Sequence, residues 1–570
     1  MKYLNPERKN IRRKVSATSI IKVFTTSLLI AGIGLTEEKV RADGGDGLQF
    51  EVSFPSQVHY QPITGRAYVI ISRHANRPPY LQTGVTGAPI WGKNIYALKP
   101  GAAAVIDRSV YGYPLPSIKD IPPGEYYVQG FINIYTEFKR SDGHTLWLHN
   151  DQWEGQRWNR SPGNIYSEVR KVNLNPSETT TVKLRCLNVI PPVDVPPDTK
   201  WVKRLKFQSN ILTNFWGKPI YLGATILLPK GYDEHPDVYY PVNYIQGHFS
   251  LGSPHGFRPP QEGPEAQRGR GGGGFSPFWL SENCPRMIAV TFQHPCPYYD
   301  DSYAVNSANV GPYGDALLQE LIPYVEEHFR IIREPYARTL SGGSTGGWES
   351  LALQIFHPDF FGGVWSLCSD PVDFNCYQIV NIYQDKNAYY REFEWFKIER
   401  PNNRSTDGKI NSFMKDENHY ELVIGDKSRS GGQWDIWEAV YSPIGEDGYP
   451  KRIWNKLTGE IDPEVAQYWR ENYDLNYYLQ KNWSWLGPKL VGKLHIYTGD
   501  MDSYYLNNAV VLMERFLEST KEPYYAGVVE YGDRQPHCWG PRGEELIKLM
   551  TEHITKNAPA GADTSTWKYK

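Results

Sequence analysis

The sequence predicts an α/β protein in which a mostly parallel sheet, covered by helices on both faces, follows an all-β sandwich of immunoglobulin size. Residues 48–187 contain short alternating runs separated by proline and glycine turns, without a helical period. Beyond a proline-rich stretch, strand-like runs alternate with helical runs. This alternation is typical of a parallel sheet whose crossover helices bury both of its faces.

The same changes in pattern predict the domain boundaries. The β-sandwich domain is expected over residues 43–189, with strand patterns such as Arg66–Ser72. Residues 190–199 form a proline-rich linker, and residues 200–570 form the α/β domain.

Two segments of the α/β domain depart from the alternation. Residues 371–488 are rich in Tyr, Trp, Asn and Arg and lack strand periodicity. They are predicted to be an insertion over the sheet edge, partly helical at Asp462–Leu479. The glycine-rich run Arg268–Gly274 is interpreted as a surface loop, because neither a strand–turn–helix context nor a P-loop lysine accompanies it.

The composition of the 570 residues excludes several classes of protein. With 40% hydrophobic and 22% charged residues, the chain is neither disordered nor collagen-like. Tyr, Phe and Trp make up 14%, which suits cores but also surfaces that stack on sugars or aryl groups. Six cysteines permit disulfides in an oxidising compartment; Cys368 and Cys376 are close enough in sequence to pair, but the spacing establishes no pairing.

The first 42 residues are predicted to be an export signal. A basic stretch ends at Lys14, an apolar run covers Val23–Leu35, and small residues follow at Val40–Ala42. The alternative is an uncleaved membrane anchor; after cleavage we expect no membrane span and a secreted or periplasmic protein. The segment holds nine Lys and Arg against three acids, so the rest of the chain carries −8 within the total of −2. That sign argues against nucleic acid as a partner.

The strongest chemical motif is Gly342-x-Ser344-x-Gly346, which lies between a short strand and an amphipathic helix. This is the context of a nucleophile elbow, a strained turn that exposes the serine hydroxyl and needs glycine two residues away on each side. Ser344 is therefore the predicted nucleophile. The alternative is a glycine-rich turn without chemistry.

A serine nucleophile requires a base and an acid that orients the base, here in the chain order Ser, Asp, His. His537 follows the last predicted strand, and Asp502 lies in the turn after the strand before it. Asp500 is the rival acid in the same turn, and Asp370 is a more remote rival. The backbone amides of Thr345 and His248 are the predicted oxyanion donors. The side chain of His248 could also contact substrate or a metal, or have no role.

The motifs around these residues resemble those of proteins with the α/β-hydrolase fold. Within that fold they resemble the esterase family that includes esterase D, feruloyl esterases and enterochelin esterases. The resemblance covers residues 200–370 and 490–556; its motifs are Tyr240-Pro241-Val242 with Gly247, Glu320-Leu321-Ile322-Pro323-Tyr324, Ser341–Gly347, and His537 with Trp539. Two features depart from the family: Gln246 stands where these enzymes usually have His, and the insertion of about 120 residues before Asp502 is unusually long.

The resemblance implies a serine carboxylic-ester hydrolase without cofactor or metal that forms an acyl-enzyme. Its expected substrate is a small-molecule or carbohydrate ester, with an aryl, carbohydrate-linked or siderophore group. The predicted substrate wall follows the strand at Met287–Phe292, whose C-terminal end faces the site. Its residues are Tyr298, Tyr299, Asp301 and Tyr303, with Trp539 beside His537.

Further assignments stay open at this stage. A calcium site using Asp300 and Asp301 is conceivable. Trp147, Trp153 and Trp158 could form a stacking platform, although packing in the sandwich or between domains is the preferred interpretation. Two other functions also remain: a secreted serine peptidase, and a non-catalytic binding protein on a hydrolase scaffold. The sequence does not determine the oligomeric state.

Overall fold

The computed structural model of the chain describes residues 47–259 and 274–562, together with Thr564 and Trp567. The predicted export signal and nearly all of the glycine-rich run Arg268–Gly274 lie outside the described residues. Among the described residues, every helix is too short or too polar to cross a bilayer.

The N-terminal part contains strands β1 to β11, and between residues 47 and 201 helix is limited to short 3₁₀ turns. Nine strands form one sheet: eight follow the order β4-β1-β11-β9-β6-β2-β3-β5, and β10 pairs with β6 outside this path. Strands β7 and β8 form a separate hairpin. The all-β character agrees with the sequence, and the immunoglobulin-like arrangement stays a prediction. The strands are β1 Leu48–Ser53, β2 Ile63–Ser72, β3 Ile90–Leu98, β4 Ala103–Ile106, β5 Gly112–Tyr113, β6 Gly124–Ile134, β7 Thr136–Lys139, β8 Thr145–Leu148, β9 Ile165–Ser167, β10 Arg170–Leu174 and β11 Thr180–Val189.

Strand β2 lies between two hydrophobic clusters and is buried at all ten positions. Successive side chains point to opposite faces of a strand. Ala67, Val69 and Ile71 therefore enter the core of the N-terminal sheet, whereas Tyr68 and Ile70 pack in a second cluster. That second cluster includes residues of the insertion, so the two parts of the chain share a core.

The C-terminal part is built on an eight-stranded sheet with the order β12-β13-β15-β14-β18-β19-β24-β25. Strands β12 and β13 pair antiparallel, β13 pairs antiparallel with β15, and the remaining pairs are parallel. The mostly parallel sheet is confirmed. Its strands are β12 Val202–Ser209, β13 Ile220–Leu227, β14 Val242–Gln246, β15 Ile288–Gln293, β18 Arg338–Gly343, β19 Gly363–Leu367, β24 Leu494–Gly499 and β25 Val528–Gly532; short hairpins add β16 Asn306–Ser307, β17 Gly311–Pro312, β20 Tyr390–Glu392, β21 Lys397–Glu399, β22 Pro401–Arg404 and β23 Ile410–Phe413.

The α-helices of the described residues belong to this second part. Helix α5 packs on β14, β18 and β19 and is buried over nearly its full length. The predicted helix Asp462–Leu479 is two helices, because Asp474 accepts a hydrogen bond from the amide of Tyr477 and starts a new one. The helices are α1 Asn210–Trp216, α2 Phe275–Trp279, α3 Tyr313–Ala316, α4 Ile322–His328, α5 Thr345–Phe356, α6 Met414–Ile424, α7 Gln433–Tyr441, α8 Pro463–Asn472, α9 Leu475–Leu490, α10 Asn507–Ser519 and α11 Glu544–Asn557.

Candidate active site

Ser344 lies in the turn between β18 and α5 with φ 58° and ψ −124°, a conformation that side-chain-bearing residues rarely adopt. The flanking glycines are sterically required: a Cβ on Gly342 would overlap the carbonyl oxygen of Gly346, and one on Gly346 would overlap that of Gln246. The turn therefore directs the Ser344 side chain away from the sheet and into a cavity.

His537 and Asp502 complete a hydrogen-bonded chain with this serine. The Nε2 atom of His537 lies 3.0 Å from Oγ of Ser344, and its Nδ1 atom lies 2.7 Å from Oδ2 of Asp502. Asp502 is fully buried, and its other oxygen accepts hydrogen bonds from the backbone amides of Tyr504 and Leu506. Three bonds fix the carboxylate against the imidazole.

In the part of the chain that the structure describes, neither rival acid is hydrogen-bonded to His537. The backbone oxygen of Asp500 accepts a hydrogen bond from Asn507, and among the described residues no hydrogen bond joins its side chain to His537. Asp370 accepts from Tyr303, Thr345 and Trp437 beneath the start of α5. Burial raises the pKa of Asp370, although these hydrogen bonds act in the opposite direction.

A disulfide joins the two sides of the site. Cys368, directly after β19, is bonded to Cys538, the neighbour of His537. The amide nitrogen of Ser344 lies 3.2 Å from Sγ of Cys368. Cys376 is a free thiol, so the pairing considered from sequence spacing does not form. The observed bond ties the His537 loop to the strand beside the nucleophile.

The loop after β14 crosses the start of α5 and brings His248 next to Thr345. The closest approach joins Nε2 of His248 and Oγ1 of Thr345 at 3.4 Å. On its other side, Nδ1 of His248 lies 3.1 Å from Oδ1 of Asp300 and 3.2 Å from Oδ2 of Asp301. Burial alone would lower the pKa of His248, but the two carboxylates outweigh it and raise that pKa well above its ordinary value. Burial also raises the pKa of Asp301 to about 7.

The structure does not bring the predicted substrate wall to the cavity. Tyr298, Tyr299, Asp301 and Tyr303 are all buried, and neither they nor Trp539 line it. The hydroxyl of Tyr299 donates to Asn133 in the N-terminal sheet, and Tyr303 supports Asp370 from below. Positive φ values at Tyr299 and Tyr303 turn the chain inward after β15, which strand position alone does not predict.

The geometry also argues against a calcium site at Asp300 and Asp301 and against a stacking platform of tryptophans. Asp300 and Asp301 both face the imidazole of His248, whereas Ca²⁺ prefers an all-oxygen set of ligands. Trp153 and Trp158 are buried, and the ring of Trp158 packs 4.7 Å from that of Tyr68. The packing interpretation of the tryptophans fits this arrangement.

The cavity at Ser344 has a volume of about 320 Å³, and the insertion supplies most of its wall. Helices α6 and α7 contribute to this wall together with loop residues of the insertion. Tyr504 also lines the cavity, and its ring lies edge-on to that of His537. Sequence reasoning did not name these residues individually, although the aromatic content of the segment indicated a binding surface. The insertion residues are Gln378, Asn402, Glu417, Tyr420, Glu421, Gly432, Gln433, Trp434 and Trp437.

The cavity wall combines aromatic rings with carboxyl groups. Besides two tyrosines, its titratable side chains are the acids Asp370, Glu417 and Glu421 and two histidines, with neither lysine nor arginine among the described lining residues. Burial raises the pKa of Glu417 to about 7 and that of Glu421 to about 8. Such a wall favours neutral, hydroxylated or cationic groups over acidic ones.

Residues 222–418 match the family model described as Putative esterase. The expected resemblance to esterases of the α/β-hydrolase fold is confirmed. The match supports carboxylic-ester hydrolase activity, and it includes Ser344 but ends before Asp502 and His537. No curated protein matches the sequence.

Several solved structures are similar to part of this esterase. A ferulic acid esterase is 15% identical, with 62% of this chain and 97% of the other covered and a TM-score of 0.34. FphF, a fluorophosphonate-binding serine hydrolase of Staphylococcus aureus, is 14% identical, with 62% and 98% covered and a TM-score of 0.31. An S-formylglutathione hydrolase from Agrobacterium tumefaciens is 11% identical, with 63% and 96% covered and a TM-score of 0.32. TM-scores this low carry no argument about function.

Proposed function

We propose that this protein is an exported serine esterase that works through Ser344, His537 and Asp502 and an acyl-enzyme. The observation that supports it best is the continuous chain of hydrogen bonds from Asp502 through His537 to the hydroxyl of Ser344. A buried acid, an oriented imidazole and a hydroxyl in a strained turn are the parts that activate a serine.

In the proposed reaction, Oγ of Ser344 attacks the ester carbonyl carbon while Nε2 of His537 takes the hydroxyl proton. The amides of Thr345 and His248 stabilise the negative charge on the carbonyl oxygen. The C–O bond to the alcohol then breaks, and the imidazolium returns its proton to the leaving oxygen. Water, deprotonated by His537, attacks the acyl carbon. The bond to Oγ of Ser344 then breaks, and the imidazolium returns the proton to Oγ, which releases the acid and restores the enzyme. Asp502 stabilises the imidazolium in both halves.

The proposed substrate is an aryl, carbohydrate-linked or siderophore ester. Trp434, Trp437 and Tyr504 give the cavity rings on which an aromatic or sugar group can stack. The proposed export has independent support in the Cys368–Cys538 disulfide, because such bonds persist in oxidising compartments. N-terminal sequencing of the mature protein tests it, with cleavage expected after Ala42.

The catalytic assignment is tested with Ser344→Ala and with Ser519→Ala, an exposed serine on α10, as the matched control. We expect Ser344→Ala to lower the turnover of p-nitrophenyl acetate by at least about 10⁴-fold and to abolish fluorophosphonate labelling, with an unchanged circular dichroism spectrum. Undiminished turnover in this variant would contradict the assignment. A panel of acetyl, feruloyl, siderophore and peptide substrates separates an esterase from a peptidase.

A further inference from the structure

A second cavity of about 330 Å³ adjoins the one at Ser344. The two cavities have five lining residues in common, which lie on α6, at the start of α7 and on the loop after β14. They are His248, Tyr420, Glu421, Gly432 and Gln433. The two cavities therefore lie side by side around these shared residues.

The outer wall of the second cavity comes from the N-terminal sheet domain. Thr83 and the segment Gln156–Asn159 line it, opposite Ser430 and Gly431 of the insertion. The site is thus formed jointly by the two domains. This placement brings residues of the N-terminal part next to the cavity at Ser344.

The segment that forms this wall is held rigidly at several points. The ring of Trp158 packs on Tyr68 and on Phe131, at 4.7 and 5.1 Å between centroids. The side-chain nitrogen of Asn159 donates to the carbonyl of Tyr80 at 3.0 Å. With its amide nitrogen facing the carboxylate, Gln156 donates to Asp300 at 2.6 Å. Binding here requires little ordering of the backbone, which favours affinity.

The lining chemistry differs between the two cavities. The first is aromatic and acidic, whereas the second also presents the guanidinium of Arg157, an exposed side chain for which no ion pair is seen among the described residues. Thr83, Ser430 and Gln433, which carry hydroxyl and amide groups, line the same cavity, and so does Tyr420. Mixed donors and acceptors next to an aromatic face match a molecule with many hydroxyl groups.

We propose that the second cavity is a binding subsite for the carbohydrate part of the ester, with Arg157 as its principal hydrogen-bond donor. The proposal rests on the proposed esterase function of Ser344. The acyl or aryl part then occupies the cavity at Ser344, and the sugar extends over Gln156–Asn159. Specificity for the sugar is thereby placed in the N-terminal domain.

The test compares Arg157→Ala with Arg160→Ala. Arg160 is an exposed arginine of the same turn that does not line the cavity, so it serves as the matched control. The measured quantity is the ratio of kcat/KM for acetylated or feruloylated pentose and hexose oligosaccharides to kcat/KM for p-nitrophenyl acetate, which has no sugar part. We expect the ratio to fall about tenfold in Arg157→Ala, through KM, because the lost bonds contribute to ground-state binding. Arg160→Ala should leave the ratio unchanged.

An unchanged ratio in Arg157→Ala overturns the subsite, and so does an equal fall in Arg160→Ala. Calorimetric binding of the unesterified oligosaccharides gives a readout that does not require catalysis. If the wild type hydrolyses no ester of the panel, the proposed function fails. In that case, sugar binding that weakens about tenfold in Arg157→Ala would still support the subsite. If the wild type binds no sugar, the subsite is overturned.

Discussion

At the scale of single residues, the two neighbouring acids after β24 have different surroundings. Asp502 bonds to His537 and to two backbone amides, whereas Asp500 has no contact with the imidazole in the described structure. We expect Asp502→Asn to lower kcat/KM on p-nitrophenyl acetate by about 10³–10⁴-fold, because an amide in this place stabilises the wrong tautomer of His537. Asp500→Asn should change it by less than about threefold. Similar losses in both variants would refute the assignment of Asp502 as the triad acid.

Glu417 provides a pH-dependent prediction. Burial raises its pKa to about 7 in the folded protein, above the value of about 4.3 for a solvated glutamate. Its ionisation therefore destabilises the fold progressively as the pH rises from about 4 to 7, and the loss is complete above 7. The variant Glu417→Gln removes this ionisation and keeps the shape of the side chain.

We expect Glu417→Gln to change the free energy of unfolding more favourably at pH 8 than at pH 4. The expected difference between the two effects is about 1–2 kcal/mol. Urea unfolding at the two pH values measures this difference. The exposed Glu394→Gln serves as the control and should show no such dependence. A gain of equal size at both pH values would mean that the Glu417 carboxyl is not perturbed as proposed.

The sequence locates individual residues well only where a local steric rule applies. Gly342 and Gly346 are dictated by the turn that holds Ser344, so the motif alone predicts its conformation. The cavity wall has no such local signature, because Glu417 and Trp437 reach Ser344 only through the folding of the insertion. The expectation for Tyr298 failed for the same reason: its position after a strand did not reveal that the chain turns inward.

At the scale of elements, the Cys368–Cys538 disulfide connects the end of β19 to the loop after β25 across 170 residues of sequence. Closing so long a loop restricts the unfolded chain, and the expected stabilisation is about 2–4 kcal/mol. We expect the double variant Cys368→Ala/Cys538→Ala to unfold at lower temperature and to lose activity, since the His537 loop is no longer tied to β19.

The control for this prediction is Cys376→Ala, which removes a free thiol. Thermal unfolding with and without dithiothreitol is the measurement. Reductant should lower the midpoint of the wild type and of Cys376→Ala but not that of the double variant. A double variant as stable and active as the wild type would show that the bond contributes nothing to the site.

The alternation of strands and helices was sufficient to predict the parallel sheet, because the pattern arises from burial on both faces of each strand. Strand β19, for example, is buried at all five positions. Boundaries set by capping were less predictable. The helical period continues through Asp474, and only the side-chain bond to Tyr477 shows that a helix ends and another begins there.

At the scale of the whole molecule, the insertion lies between the catalytic sheet and the N-terminal sheet. Helix α6 packs on β3 and β5 through its C-terminal half while Glu417 and Tyr420 face the cavity. Asn94 donates to Asp426 just beyond the helix, and Arg429 donates to the carbonyl of Trp147. The N-terminal sheet therefore holds the helix that forms the cavity wall. No periodic pattern in the sequence indicates this long-range contact.

Substitution of Arg66 provides the best test of whether the N-terminal sheet positions the cavity wall. It is buried in β2, and its guanidinium donates to the carbonyls of Val423 at 2.8 Å and Leu422 at 3.3 Å, at the end of α6. Replacement by methionine keeps the packing of the stem but leaves these carbonyls without their donor. We expect Arg66→Met to lower the free energy of unfolding by about 2–3 kcal/mol. We also expect KM for an aromatic ester such as methyl ferulate to rise several-fold.

Separate measurement of KM and kcat distinguishes an effect on the position of the cavity wall from general destabilisation. Ser344, His537 and Asp502 follow strands of the C-terminal sheet, whereas Arg66 lies in β2, so kcat measured well below the unfolding temperature should stay within about twofold of the wild type. Arg66→Lys should recover part of the loss in KM, and Arg108→Met, on the exposed surface of the same domain, should change neither quantity. If Arg66→Met lowers stability and leaves KM for methyl ferulate unchanged, the N-terminal sheet stabilises the fold without shaping the cavity.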